Sequence, residues 1–428
     1  MNVPIRHPGS AVGHPVDAQR WPDVASVPAG PTARVRSAAA AALFRRATRD
    51  LGIRVEYPDG TLGGADTDGV LPRMIVRRPD DFWRRLGSGG LIGFGEAFMA
   101  GDWTTDDLVG VLTPFATRAA RLVPATFQPL RSLVLPKQPA AEENTPTGTR
   151  TNIARHYDLS NAMFATFLDE TMTYSSAVFD DVSAPARWAD LADAQRRKID
   201  RLLDLAGVGP GTRLLEIGTG WGELCIRAAA RGADVYSVTL STEQRDLARD
   251  RVARAGYADA VRIDLLDYRA IEGTFDAVVS VEMIEAVGDK YWPAYFSTID
   301  RLLAPGGRVA IQAITMPHER MVASRNTYTW IHKYIFPGGQ LTSVPGLRAA
   351  VRRHTSLRMT GGTALGVHYA ETLRLWRERF LAADDEVAAL GFDHTFARMW
   401  QFYLAYSEAG FRAGYLDVYQ FVFAREES

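Results

Sequence analysis

Residues 213–224 read RLLEIGTGWGEL: an apolar run, then glycines at alternate positions (Gly218, Gly220, Gly222), then the opening of a helix. A run of apolar residues without alternation fits a strand covered on both faces. The same pattern recurs outward from it. A helix spans about 185–206, and further strands read DVYSVTL (234–240), AVRIDLL (260–266), FDAVVSV (275–281) and GGRVAIQAI (306–314). Helices opening at Ser241 and covering about 291–303 lie between them. Regular strand–helix alternation predicts an α/β fold with a doubly wound, mostly parallel sheet. After 315 the alternation gives way to aromatic-rich helical segments, and YLDVYQFVFAR (415–425) is expected as an edge strand.

Upstream, residues 1–30 are rich in Pro, Gly and Ala and read as a flexible tail. Residues 31–112 form a small α+β domain: an alanine-rich helix, strands within 52–78 turned by Asp59-Gly60, and two helices around the Gly-Asp stop in LIGFGEAFMAGDWTTDDLVGVL (91–112). Residues 113–150 are punctuated by prolines and read as a linker, leaving 151–428 for the main domain. Within the linker, RAARLVPATFQPLRSLVLP (118–136) has two readings, a packed connection or an interfacial segment that meets a bilayer.

The chain has 428 residues, 46% hydrophobic and 23% charged, with net charge −1, which excludes disordered and collagen-like classes. Near-neutral charge offers no continuous basic footprint for nucleic acid. The single cysteine, Cys225, rules out an internal disulfide and makes a reducing, intracellular setting the default. No apolar run approaches the ~18–20 residues of a spanning helix, so a soluble chain is expected. Only Lys137, Lys198, Lys290 and Lys333 are lysines among 49 basic residues. Composition bias explains this, and so would guanidinium pairing with phosphate.

The glycine run sits where open α/β sheets bind ligands. A dinucleotide fingerprint would be G-x-G-x-x-G with an acid closing the second strand. Here the spacing is G-x-G-x-G and the second strand ends Thr239-Leu240-Ser241. Glu216 stands instead where S-adenosylmethionine-dependent methyltransferases carry an acid, and Asp267-Tyr268 where they hold the adenine.

Together with RHYDLSNAMF (155–164), FLDETMTYSSAVF (167–179), SVTLSTEQ (237–244), VEMIEAVG (281–288), WIHKYIFPGGQL (330–341) and HYAETLRLW (368–376), these residues resemble the cyclopropane-fatty-acyl-phospholipid synthases and mycolic acid methyltransferases. GFGEAFMAGDW (93–103) is similar to the accessory, lipid-associated domain of the full-length phospholipid enzymes. The resemblance implies the S-adenosylmethionine-dependent methyltransferase fold with a helical lid and acyl-chain-binding insertions at about 315–400. It places Tyr174 and Ser175 at the methionine part of the cofactor, with Gly218, Gly220 and Gly222 at the turn below it. Thr239, Leu240 and Gln244 fall near the ribose, and Asp267 with Tyr268 near the adenine. No metal is implied.

The family acts on an isolated cis double bond, a poor nucleophile that needs the sulfonium methyl held in line. Attack leaves a positive charge on a chain carbon, which aromatic faces stabilise and a positioned base discharges, in a dry site. Tyr328, Trp330, Tyr334, Phe336, Tyr369 and Trp376 supply aromatic groups, as a set an expected acyl tunnel. Ring-forming relatives hold bicarbonate with a cysteine, a glutamate, a histidine and a tyrosine, which correspond here to Ser176, Glu285, Gln312 and Tyr369. The two departures leave bicarbonate open and raise a protein carboxylate in its place: Glu142 first, then Glu143, Glu223 and Glu282.

The same departures resemble the actinobacterial methyltransferases that begin 10-methylstearate (tuberculostearate) synthesis. These convert an oleoyl chain of membrane phospholipid to a 10-methylene chain, which a flavin-dependent reductase saturates. A cyclopropane synthase on the same substrate is the alternative, and a non-catalytic lipid-binding protein a remote one. The expected setting is cytoplasmic, peripheral at the inner face of the membrane, with a homodimer left open.

Overall fold

The computed structural model describes residues 15–65, 69–118, 160–325 and 327–426. Glu142, Glu143, the segment 119–136 and most of the proline-rich linker lie outside them. Two compact units emerge. One comprises the described residues up to 118 with Thr327–Ile335 and Arg377–Tyr415, the other residues 160–325, Phe336–Trp376 and the chain from Leu416 onward.

The first unit is built on a four-stranded sheet of β1 (Arg54–Glu56), β2 (Leu62–Gly64), β3 (Arg73–Val76) and β4 (Trp103–Thr104), in the order β2-β1-β3-β4. β1 and β2 form the expected hairpin, with Gly60 at φ +81° in its turn. The helix Leu91–Ala100 is buried at every position but its first, so it lies inside the unit rather than on its surface. Its Gly95 lets the Trp330 ring approach closely. Phe94 and Phe98 meet Phe402 of the helix His394–Arg412 at ring distances of 6.4 and 5.5 Å. Segments assigned from sequence to the main domain thus complete this aromatic core. Asp102, fully buried, holds it from below by ion pairs to Arg78 (2.8 Å) and Arg85 (2.9 Å).

The second unit carries a seven-stranded sheet: β5 (Arg213–Ile217), β6 (Asp234–Thr239), β7 (Val261–Leu265), β8 (Phe275–Val281), β9 (Leu303–Thr315), β10 (Leu357–Ala364) and β11 (Asp417–Arg425). Their order is β10-β11-β9-β8-β5-β6-β7. β7, β6, β5, β8 and β9 run parallel, and β11 is antiparallel to both β9 and β10. Successive residues serve opposite cores. Leu214 joins one apolar cluster and Leu215 the other, each fully buried and worth about 1.5–3 kcal/mol in removed apolar surface. That two-faced burial is why the strands read as unbroken apolar runs.

One expectation fails here. β11 is an internal strand, not an edge strand; Val418, Gln420, Phe421 and Phe423 are buried between its two neighbours. The edge is β10, whose sequence LRMTGGTA gave no strand signal. Its two glycines and its exposed far half suit an edge. Among the described residues no helix is long and apolar enough to cross a membrane.

Candidate cofactor cavity and carboxylate cradle

A cavity opens at the carboxyl ends of β5, β6 and β8, all within the second unit. After β5 the chain turns through Gly218 (φ +101°) and Gly220 (φ +53°), both lining the cavity in conformations that a side chain would resist. Gly222 serves differently. It caps the helix Glu223–Ala230 at φ +87°, and an added Cβ would stand 3.1 Å from Ala248 Cβ, so this glycine permits helix packing and is not part of the cavity wall. Thr239, Leu240 and Gln244 form the wall after β6, with the Thr239 hydroxyl donating to Gln244 Oε1 at 2.9 Å. Ser241 caps the following helix by accepting from the Gln244 amide, which fixes the turn.

Beyond β7 the expected pair Asp267-Tyr268 divides. Tyr268 lines the cavity, but the Asp267 carboxylate is taken up by a two-pronged pair with Arg269 (2.9 and 2.5 Å) and does not line it. Arg269, which the sequence reading missed, lines the cavity instead and lies over the Tyr268 ring at 5.6 Å.

Glu216, at the end of β5, is buried. Its Oε2 accepts from Ser237 Oγ (2.6 Å) and Cys225 Sγ (2.9 Å), and Ser237 in turn meets Thr219 Oγ1 at 2.7 Å. The acid therefore braces the glycine turn as well as lining the cavity, and burial pushes its carboxyl up to about 7. Tyr174 and Ser175 close the opposite side. Lys198, fully buried, donates to Ser175 Oγ at 2.6 Å. Burial lowers its ammonium to about 8 against the opposing pull of Glu282, Asp169 and Glu216. Sequence reasoning passed over Lys198, although a buried lysine in a chain with four was a usable signal.

At the end of β8, Glu282 adopts φ +48°, unusual for a residue with a side chain. Its backbone amide donates to Gln312 O at 2.8 Å, which fixes the turn against β9. Its side chain lines the cavity, and three donors hold the carboxylate. The Ser176 amide (2.9 Å) and Gln312 Nε2 (2.8 Å) bond Oε1, and the Tyr369 hydroxyl (2.6 Å) bonds Oε2. Gln312 is itself oriented by Gln420 Nε2 of β11, 3.0 Å from its Oε1. Burial raises the Glu282 carboxyl, and the three hydrogen bonds and Lys198 counter that rise.

Three of the four residues matched to an anion-holding set thus converge, and what they hold is a side chain of the protein. They do so unevenly: Ser176 contributes its amide, while its hydroxyl turns to Ala177 O. The fourth, Glu285, bonds the Ile314 amide through Oε1. Its Oε2 is buried with no partner among the described residues, and burial together with the Glu282 charge pushes the carboxyl up to about 8. Of the other carboxylates considered, Glu223 is engaged by Arg251 (2.8 Å) and approached by Arg196 (3.8 Å).

The expected aromatic set separates. Trp330 and Tyr334 pack inside the first unit, Tyr334 donating to Glu96 at 2.8 Å. Tyr369 and Trp376 remain beside the cavity, where Trp376 meets Tyr174 at 5.3 Å and Phe167 at 6.1 Å. Phe164 and Trp221 extend this wall.

Comparison with known proteins agrees with this geometry. Residues 144–421 match the family model described as mycolic acid cyclopropane synthetase. The tuberculostearic acid methyltransferase UfaA1 of Mycobacterium tuberculosis is 57% identical over 414 residues, 96% of this chain and 96% of that protein. The cyclopropane-fatty-acyl-phospholipid synthase of Escherichia coli strain K12 is 33% identical over 370 residues, 85% of this chain and 90% of that one. Among solved structures, the mycolic acid cyclopropane synthase CmaA1 complexed with SAH and CTAB superposes with a TM-score of 0.58 at 32% identity, covering 64% of this chain and 97% of its own. By its matched sequence and its fold, the chain belongs to the mycolic acid cyclopropane synthetase family.

Proposed function

We propose that the protein is an S-adenosylmethionine-dependent methyltransferase that methylates the cis double bond of an oleoyl chain in membrane phospholipid, giving a 10-methylene chain. The observation that carries this reading is the adjoining of a cavity behind the glycine turn, an aromatic wall and a cradled carboxylate at one end of the sheet. The 57% identity to a tuberculostearic acid methyltransferase supports it.

The residues fit the cofactor. The glycine turn presents a backbone on which no side chain intrudes, Tyr268 offers a ring face, and Gln244 and Thr239 offer polar atoms. Lys198 and Ser175 give a buried polar end suited to an amino-acid zwitterion. When bound, the cofactor supplies an electrophilic methyl on a sulfonium. Tyr174, which lines the cavity and packs against Trp376, itself in contact with Phe167, then offers a π surface that stabilises positive charge beside the reacting chain. A free bicarbonate ion would need the Ser176, Gln312 and Tyr369 donors that Glu282 already occupies.

Outside the site, the helix Pro31–Arg49 exposes Val35 and Leu43 beside Arg34, Arg36, Arg46 and Arg49, an arrangement suited to docking at a phospholipid surface. On this reading the protein is cytoplasmic and peripheral to the membrane. Its product is an alkene that a flavin-dependent reductase would saturate, and self-association as a homodimer is compatible with it. The test is incubation with dioleoyl phospholipid vesicles and methyl-labelled cofactor, then mass spectrometry and proton NMR of the released fatty acids. Exocyclic methylene protons are expected. Cyclopropane protons would reassign the product, and label left wholly in the cofactor would refute methyl transfer.

A further inference from the structure

We propose that Glu282 is the base of the reaction, a carboxylate built into the chain at the position where a mobile anion would otherwise have to be captured. The inference rests on the methyl-transfer reading above and specifies its proton acceptor. Three observations carry it.

Glu282 lines the cofactor cavity, whereas Glu285 is turned to the Ile314 amide. Its two oxygens are unequally used. Oε1 accepts from the Ser176 amide and from Gln312, while Oε2 accepts, among the described residues, only from Tyr369. An ionised carboxylate oxygen has room for two donors, so Oε2 keeps one place for an incoming proton. Finally, the residue holds φ +48° at the strand end, a conformation that costs stability and persists where surrounding contacts over-determine it. Such strain concentrates at sites of chemistry, and here the three donors and the Gln312 carbonyl supply the constraint.

The chemistry balances with this one acceptor. The alkene π pair forms the new bond to the methyl carbon while the carbon–sulfur pair leaves with the sulfur, which becomes a neutral thioether. The chain carbon beyond the new methyl is left electron-deficient. A hydride moves to it from the neighbouring carbon, so the deficiency comes to rest beside the methyl group. A methyl proton then passes to Glu282 Oε2, and the C–H pair becomes the exocyclic double bond. Before that transfer the negative carboxylate stabilises the cation, and the Lys198 ammonium helps keep it ionised. The neutral acid returns its proton to water when the product leaves.

The test uses the full-length protein with dioleoyl phosphatidylglycerol vesicles in buffer stripped of carbon dioxide. Wild type should turn over at its ordinary rate there; dependence on added bicarbonate would overturn the proposal. Glu282→Gln keeps size and loses basicity, so turnover should fall roughly 100-fold or more. Binding of S-adenosylhomocysteine by calorimetry should stay within about 3-fold, which separates loss of the base from loss of the fold. Glu282→Gly suits the positive φ, and formate or bicarbonate should restore part of its activity by occupying the vacated donors. An E282Q protein that binds cofactor and methylates at the wild-type rate refutes the base. A wild type with no product on any oleoyl lipid refutes the methyl-transfer reading instead.

Discussion

Glu285 gives the sharpest quantitative prediction. Its Oε2 is sealed from solvent without a partner among the described residues, and the Glu282 charge stands nearby, so its carboxyl is pushed from an ordinary 4.5 up to about 8. Between those values the folded protein keeps a proton that the unfolded chain has already released. Unfolding therefore releases a proton, and raising the pH favours unfolding. The stability that Glu285 withholds is absent below about pH 4.5, grows through the window, and is complete above about pH 8. At 1.36 kcal/mol per unit the whole penalty is at most about 5 kcal/mol, of which about 3.5 kcal/mol accrues between pH 5 and pH 8.

Glu285→Gln keeps an oxygen for the Ile314 amide and replaces the partnerless oxygen with a neutral group. Urea unfolding of both proteins at pH 5 and pH 8, followed by tryptophan fluorescence, yields a double difference in which Glu216 and the other groups not coupled to Glu285 cancel. Wild type should lose about 3.5 kcal/mol relative to the variant over that interval. Parallel behaviour of the two proteins, a double difference below about 1 kcal/mol, would refute the burial argument.

Cys225 is fully buried, and burial with the adjacent Glu216 carboxylate drives its thiol well above the usual range. Ellman's reagent should find no reactive thiol in native protein and one equivalent in urea, and a fast native reaction would contradict the packing. In Gly95→Ala the new Cβ would stand 2.5 Å from Trp330 Cδ1, so the first unit should lose about 1–3 kcal/mol in chemical denaturation. Gly222→Ala meets both a positive φ and Ala248, at a cost of about 1–2 kcal/mol. Because Gly222 does not line the cavity, calorimetry on the folded variant should find S-adenosylhomocysteine affinity little changed; a large loss would return this glycine to the binding surface.

The parallel core was legible because its strands are buried on both faces: FDAVVSV coincides with β8, and RLLEIG with β5 and its turn. β10 was not, because an edge strand needs no apolar period and its glycines read as loop. β11 was misplaced because pairing partners lie far away in sequence; Tyr419 sits opposite Ala313 on one side and Ala364 on the other. In the site, the glycine spacing pointed to Gly218 and Gly220, and the family resemblance to Thr239, Gln244 and Tyr268, all of which line the cavity. It could not tell Asp267 from Arg269, because a neighbouring ion pair decided which one faces inward. Nor could it tell that Glu282 lines the cavity while Glu285 bonds the Ile314 amide. The two lie within one short turn, and only a positive φ swings the former into the cavity.

The placement of β11 bears on biosynthesis. Synthesis delivers this strand after the other ten of the described residues, yet it must enter the sheet between β9 and β10, and its Gln420 orients the amide that grips Glu282. While the ribosome is still extending the chain, β9 and β10 present open rows of amides and carbonyls to anything nearby. A nascent polypeptide that ends before β11 lacks the Gln420 contact that orients Gln312. Interrupted translation would then yield sticky fragments.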